Sequence, residues 1–245
     1  MKKLLVLALA CSFLAFQCEK VTPIENGTIN LVMKPIFNEK PFVMNKIYTI
    51  DGKNVKFSRL HFYTATDRIN NNTANQKSGR YVQFLSFTEL DDSTKSATGI
   101  SKSIDLPIGE TKQFTLKIGV ESDLNALKPK DFSSSNPLSD AGQYWDDWNS
   151  YIFFKIEGSI DKDGDGRYET GITLHTGGNQ CFRTNTYTKT FTVDSKGSAT
   201  LNFDLNINTL LRGIDLATVN SSHQTGDLPT MLKIMDNLKD AIVLK

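Results

Sequence analysis

Tyr187-Thr188-Lys189-Thr190-Phe191-Thr192-Val193, then Asp194-Ser195-Lys196-Gly197-Ser198, then Ala199-Thr200-Leu201-Asn202-Phe203-Asp204-Leu205, is the stretch that decides the fold class. On either side of a polar, glycine-containing break, apolar residues recur at every second position: Phe191 and Val193 before it, Leu201, Phe203 and Leu205 after it. Period two is the spacing of a strand with one buried face, and threonine, valine and phenylalanine favour extended backbone. The break has the composition of a turn, so the stretch predicts a β-hairpin with one buried face.

Segments of the same kind extend outward in both directions. Strands are predicted near Ile29 to Lys34, Lys46 to Ile50, Val55 to Thr64, Tyr81 to Phe87, Gln113 to Val120, Tyr151 to Glu157 and Tyr168 to His175, besides Tyr187 to Val193 and Ala199 to Asn206. Clusters of Gly, Asn, Asp and Ser separate them, which predicts a mostly β, antiparallel, sandwich-like single domain. Two insertions interrupt the tight pattern: the Asn-rich Arg68 to Gly79, and Glu121 to Ser150, which carries both tryptophans. Loops of that length in a compact domain are functional or mobile. Near the end, Asp227 is placed to cap a helix with Pro229 in its first turn, and Met231, Ile234, Met235, Leu238, Ala241 and Ile242 form one apolar stripe at helical spacing. That stripe predicts a C-terminal α-helix packed on the β domain.

The other end of the chain is of a different kind. Lys2 and Lys3 precede an apolar run from Leu4 to Phe16, with polar sequence from Glu19. The order is that of a secretory signal, too short to anchor by spanning a bilayer. Cysteines at Cys11 and Cys18 sit at the place where bacterial lipoprotein processing lipidates a new first residue. Cys18 preserves a full-length apolar core and Cys11 does not, so residues 1–17 are expected to be the signal peptide, 18–28 a lipidated tether and 29–245 the β domain. Simple cleavage is the alternative, and both routes export the protein, to the periplasm, the outer membrane or the cell surface.

Removing residues 1–17 takes away two lysines, leaving 26 basic against 27 acidic residues. That balance argues against nucleic acid as a partner and against attraction to anionic lipid; membrane attachment is expected through the lipid alone. With Cys18 lipidated, Cys181 is the remaining thiol, so no disulfide forms within the chain and packing must supply the stability.

No nucleophile elbow, phosphate loop, dinucleotide fingerprint or assignable carboxylate pair occurs, so the residues make no case for an enzyme. Asp161-Lys162-Asp163-Gly164-Asp165-Gly166 matches the first half of a calcium loop, but Ile172 stands where the bidentate glutamate should be. A plain hairpin turn is the simpler reading, and no calcium is expected. Three histidines remain. His61 lies within a strand, where a half-exposed position is expected; His175 ends a strand; His223 sits in the polar loop Ser221-Ser222-His223-Gln224-Thr225-Gly226. Imidazoles at the ends of elements could converge on one copper or zinc ion, which spacing does not decide. Trp145 and Trp148 lead into a strand, where they could close one end of the core or form an exposed platform for a sugar or peptide.

Over most of its length the order of segments resembles the MbnP-like copper-binding proteins. The resemblance is carried by Leu60-His61-Phe62-Tyr63-Thr64, Ile118-Gly119-Val120-Glu121-Ser122-Asp123-Leu124-Asn125, Tyr144-Trp145 entering Tyr151 to Gly158, Leu174-His175-Thr176-Gly177, the loop with His223, and the helix with Ile234-Met235-Asp236-Asn237. It implies an exported protein of bacterial copper uptake without turnover of its own. It implies a copper site with His175 and His223 as ligands; two neutral imidazoles in near-linear or three-coordinate geometry suit Cu(I), so that state is expected. It further implies a tryptophan, Trp145 before Trp148, that a dihaem peroxidase-like (MbnH-like) partner oxidises to kynurenine. The competing reading is a surface lipoprotein that binds a polymer or protein through Trp145, Trp148 and the long loops. The two imidazoles discriminate: two ligands of one metal each lie about 2 Å from it, so a separation beyond about 8 Å would favour the competing reading.

Overall fold

The computed structural model describes residues 25–67, 80–197 and 199–245. The signal segment with Cys11 and Cys18, most of the expected tether, the Arg68 to Gly79 insertion and Ser198 lie outside the described residues.

The chain forms β1 (Asn26–Phe37), β2 (Lys40–Pro41), β3 (Ile47–Ile50), β4 (Lys53–Asp67) and β5 (Arg80–Ser86), then a short helix α1 (Ser93–Thr98). β6 (Ile100–Pro107) and β7 (Gly109–Ile118) follow, then α2 (Ser122–Asn125), a run of 3-10 turns, and β8 (Tyr144–Trp145). After these come β9 (Ser150–Asp161), β10 (Thr170–Gly177), β11 (Arg183–Val193), β12 (Thr200–Asn206), α3 (Ile207–Leu210), β13 (Ser221–Ser222), α4 (Leu228–Ala241) and β14 (Ile242–Leu244). Two mixed sheets result. The smaller has the order β14-β12-β1-β2 with β6 also on β1; the larger runs β11-β7-β4-β9-β10-β13, with β3 and β5 on β4 and β8 on β9. The sandwich-like, mostly β architecture with a C-terminal helix is therefore present, and it contains parallel pairs, β1 with β12 and β10 with β13.

The expected hairpin is not formed. β11 pairs with β7 in the larger sheet and β12 pairs with β1 in the smaller, so Asp194 to Gly197 crosses from one sheet to the other. Alternation reports that one face is buried, not what lies beside the strand. Here the buried faces meet across the core instead: the Phe203 ring of β12 lies 5.2 Å from Tyr187 of β11 and 6.2 Å from Phe114 of β7, centre to centre. The crossing runs over the start of β1, where Gly27 leaves room; a Cβ there would lie 2.0 Å from the Asp194 carbonyl oxygen. β1 begins at Asn26, ahead of the Ile29 expected for it.

The turn from Asp161 to Gly166 does join an antiparallel pair, β9 with β10. Asp161 is buried, and its two carboxylate oxygens accept the N–H groups of Gly164 and Gly166 at 2.7 and 3.0 Å. Both glycines have φ above +80°, which a side-chain-bearing residue adopts rarely. α4 buries Met231, Ile234, Met235, Leu238 and Ala241 as the stripe requires, while Ile242 belongs to β14.

Candidate metal centre

The outer face of the larger sheet positions the site. Residues of β4, β9 and β10 in register form a row His61–Lys155–His175, with Arg59–Glu157–Thr173 as the next row on the same face. The Glu121 to Ser150 insertion packs over this face as ordered 3-10 turns. Leu138 is its buried plug, and the Tyr63 and Tyr151 hydroxyls donate to the carbonyls of Pro137 and Leu138 at 3.0 and 2.8 Å. Asn125 adds a second tie, accepting from Ser150 Oγ and the Tyr151 N–H through its side-chain oxygen. Both faces of β9 are consequently covered near its start.

His175 projects from β10 with 14 % of its side chain exposed, and its Nε2 meets Glu157 Oε1 at 2.8 Å. The other oxygen of Glu157 accepts from Arg59 at 2.6 Å. Burial pulls the His175 pKa down to about 4, against the opposing effect of the Glu157 hydrogen bond, and the Lys155 charge pushes it the same way as burial. The ring is therefore neutral at ordinary pH, the form in which imidazole ligates a metal.

His223 arrives from the other end of the chain. β13 adds in parallel to the edge of β10, Thr173 donates its N–H to the Asn220 carbonyl at 2.7 Å, and Ser222 Oγ donates to the His175 carbonyl at 2.9 Å. Asp227 then fixes the backbone. It stands at the N-cap of α4 as expected, yet its side chain makes no capping bond; its carboxylate accepts the N–H groups of His223 and Gln224 instead, both at 2.9 Å. Those amides close a tight turn before the helix and have no strand to pair with, so the nearest carboxylate goes to them.

Trp145 completes the group. Asn149, in the left-handed conformation, closes the Asp146–Trp148 turn, and β8 folds back on the start of β9 so that Trp145 stands opposite Ser150. The ring centre of Trp145 lies 6.1 Å from His175 and 5.4 Å from His223, and the two imidazole centres are 5.8 Å apart. Trp148 stacks behind Trp145 at 4.4 Å. Gly177 makes this approach feasible: a Cβ there would sit 2.7 Å from the Tyr151 carbonyl oxygen and 3.4 Å from the Trp148 ring.

Imidazole nitrogens lie about 1.1 Å from the ring centre and metal–imidazole bonds are about 2 Å long, so two rings sharing an ion have centres up to about 6 Å apart. The observed 5.8 Å falls within that reach, and well inside the separation that would have favoured the competing reading. The donor set fits a metal that accepts few nitrogen ligands.

Other candidates lie apart from this group. His61 is buried rather than half-exposed, its Nε2 makes no well-formed hydrogen bond among the described residues, and burial followed by the charges of Lys155 and Arg59 pushes its pKa down to about 3 against a weaker opposing interaction with Gln143. The covering insertion is the reason, which a strand pattern does not reveal. Cys181, the remaining thiol, is buried with its pKa pushed up to about 11 by burial. Among the described residues, Asp161, Asp163 and Asp165 form a separate acidic group in the β9–β10 turn. The residues sequence reasoning missed are Glu157, Arg59, Lys155 and the role of Asp227. Glu157 and Arg59 carried a signal only in parity, since each sits an even number of positions from Lys155 or His61 in a strand.

A β-sandwich that gathers two imidazoles and an indole at the edge of its larger sheet is thus the class of protein in hand. The MbnP family model matches residues 26–225 of the chain. The chain belongs to the MbnP family. A solved structure, MbnP from Methylosinus trichosporium, superimposes with a TM-score of 0.52 at 12 % identity, covering 79 % of this chain and 80 % of that one, which shows the shared fold. No match was found among the curated proteins compared.

Proposed function

We propose that this protein is an exported copper-binding protein that acts in copper acquisition or handling, holding one ion as Cu(I) through His175 and His223 beside Trp145. The observation that carries the reading is the pair of imidazoles with centres 5.8 Å apart under one indole. Membership of the MbnP family supports it. Two neutral imidazoles in two- or three-coordinate geometry suit Cu(I), whereas zinc would want a fourth ligand. The competing platform reading has less support, because the face of Trp145 is stacked on Trp148 and the rings of both histidines also stand beside it. Anaerobic Cu(I) titration tests the assignment. His175→Ala and His223→Ala should each weaken binding at least tenfold while the control His61→Ala binds as the wild type; equal affinity in all four proteins sinks it.

The protein performs no turnover of its own in this reading. It is lipidated on Cys18, held at a membrane facing the periplasm or the cell exterior, and Trp145 rather than Trp148 is the residue a dihaem peroxidase-like partner oxidises to kynurenine. Two acyl chains or more are needed for stable anchoring, which diacylglyceryl attachment plus an N-acyl group satisfies. Intact and peptide masses of protein from its native host read both modifications. An unmodified N-terminus would remove the anchor from the proposal, and an unmodified Trp145 peptide would remove the oxidation.

A further inference from the structure

Glu157 occupies the middle of β9, opposite Arg59 on β4 and Thr173 on β10. Its two oxygens have different partners: Oε2 accepts from Arg59 at 2.6 Å and Oε1 meets His175 Nε2 at 2.8 Å. A carboxylate paired with a guanidinium offers only lone pairs, so the ring nitrogen facing it must carry the proton. In a neutral imidazole the lone pair is then on Nδ1. We propose that Glu157, oriented by Arg59, is a positioning residue that locks His175 as its Nε2–H tautomer and leaves Nδ1 as the nitrogen that takes a metal ion.

The second half of this statement rests on the reading of His175 as a ligand; the first does not. Metal-ligating histidines commonly donate their other N–H to a carboxylate, which fixes the ring and raises its basicity. The geometry here has that form, with one addition. Arg59 claims one of the two oxygens, and guanidinium only donates. A glutamine in place of Glu157 has a single oxygen. Turned toward Arg59, as the donor-only guanidinium demands, it presents its NH2 to His175 Nε2, which must then become an acceptor. The proton moves to Nδ1, and the nitrogen assigned to the metal is blocked. Taking away Arg59 as well frees the amide to rotate, present its oxygen to His175 and restore the original tautomer.

Two measurements on the full mature protein test this. Histidine tautomers are read from long-range nitrogen–proton spectra of metal-free, 15N-histidine-labelled protein at neutral pH, and Cu(I) affinity from anaerobic competition with a chromophoric chelator. The wild type and Arg59→Ala should show His175 as Nε2–H. Glu157→Gln should show Nδ1–H and lose about tenfold or more in Cu(I) affinity. The double variant Arg59→Ala/Glu157→Gln should return toward Nε2–H and recover affinity over Glu157→Gln alone, which a merely structural role of the pair would not produce. An Nδ1–H wild type, an unchanged tautomer in Glu157→Gln, or a double variant no better than the single one overturns the proposal. A wild type that binds no Cu(I) while the tautomers respond as stated upholds the lock and overturns the ligand reading instead.

Discussion

His61 and His175 flank Lys155 in one row of the sheet, and both imidazoles are held well below the ordinary value of 6.5, to about 3 and about 4. Burial is the first cause for each, and the Lys155 charge adds to it. Below about pH 6.5 the unfolded chain therefore takes up protons that the folded protein refuses, so their contribution to stability is complete above that pH and is lost as the pH falls. His61 counted alone corresponds to a loss on the order of 5 kcal/mol by the time both states are protonated. Thermal unfolding should accordingly show a midpoint that drops between about pH 6.5 and 3 in the metal-free protein. His61→Leu, which removes a buried titratable ring, should flatten that slope; an identical slope in the variant would show that His61 takes up its proton in the native state at the same pH as in the unfolded chain. Individual residue types carried part of the site. His175, His223 and Trp145 were visible as chemistry-bearing side chains, but Glu157 and Arg59 look in sequence like any strand charges until register sets them beside His175.

Elements reached different degrees of legibility for reasons particular to each. β4, β9, β10, β11 and β12 alternate or are rich in β-branched and aromatic residues, and they were readable. β6, Ile100-Ser101-Lys102-Ser103-Ile104-Asp105-Leu106-Pro107, was missed: only Ile104 and Leu106 are buried, so its period-two signal spans a single repeat. β14 was absorbed into the helical stripe because Ile242 falls in phase with Leu238 and Met235. The covering insertion is the element on which the site depends most, since it carries Trp145 to the histidines. Gly177 is its docking point on β10, and Gly177→Ala forces a Cβ to within 2.7 Å of the Tyr151 carbonyl oxygen. We expect that variant to lose about 1–3 kcal/mol of stability, the usual cost of overpacking, and to bind Cu(I) more weakly as the tryptophan turn is displaced. Thermal unfolding and anaerobic titration measure the two effects, and wild-type values in both would mean that the turn does not dock through this position.

For the whole molecule, the decisive packing is between sheets. Phe203 reaches from the smaller sheet to Tyr187 and Phe114 of the larger and is 1 % exposed, so it belongs to both halves of the core at once. Phe203→Ala should cost about 3–5 kcal/mol, the range for deleting a buried aromatic side chain. Because one continuous set of buried residues links the sheets, the loss should appear as a lower midpoint of a single transition in denaturant. Two separated transitions would mean that the sheets unfold independently.

Period-two alternation, turn composition and the 3.6-residue stripe settled from sequence that this is a mostly β domain with a C-terminal helix, because those signals depend only on which side of a local element is buried. Order of the segments along the chain was enough to point to the MbnP family. Pairing was beyond such signals: Tyr187 to Val193 and Ala199 to Leu205 alternate identically whether they lie side by side or face each other across a core, and only the packed structure distinguishes the two. The same holds for the site. His175 and His223 are separated by most of the C-terminal third of the chain, and it is the parallel addition of β13 to β10, held by Ser222 and Asp227, that brings their rings to 5.8 Å. Proximity between residues far apart in sequence comes from long-range backbone pairing, and a local pattern gives the parity of a strand but not the strand it pairs with.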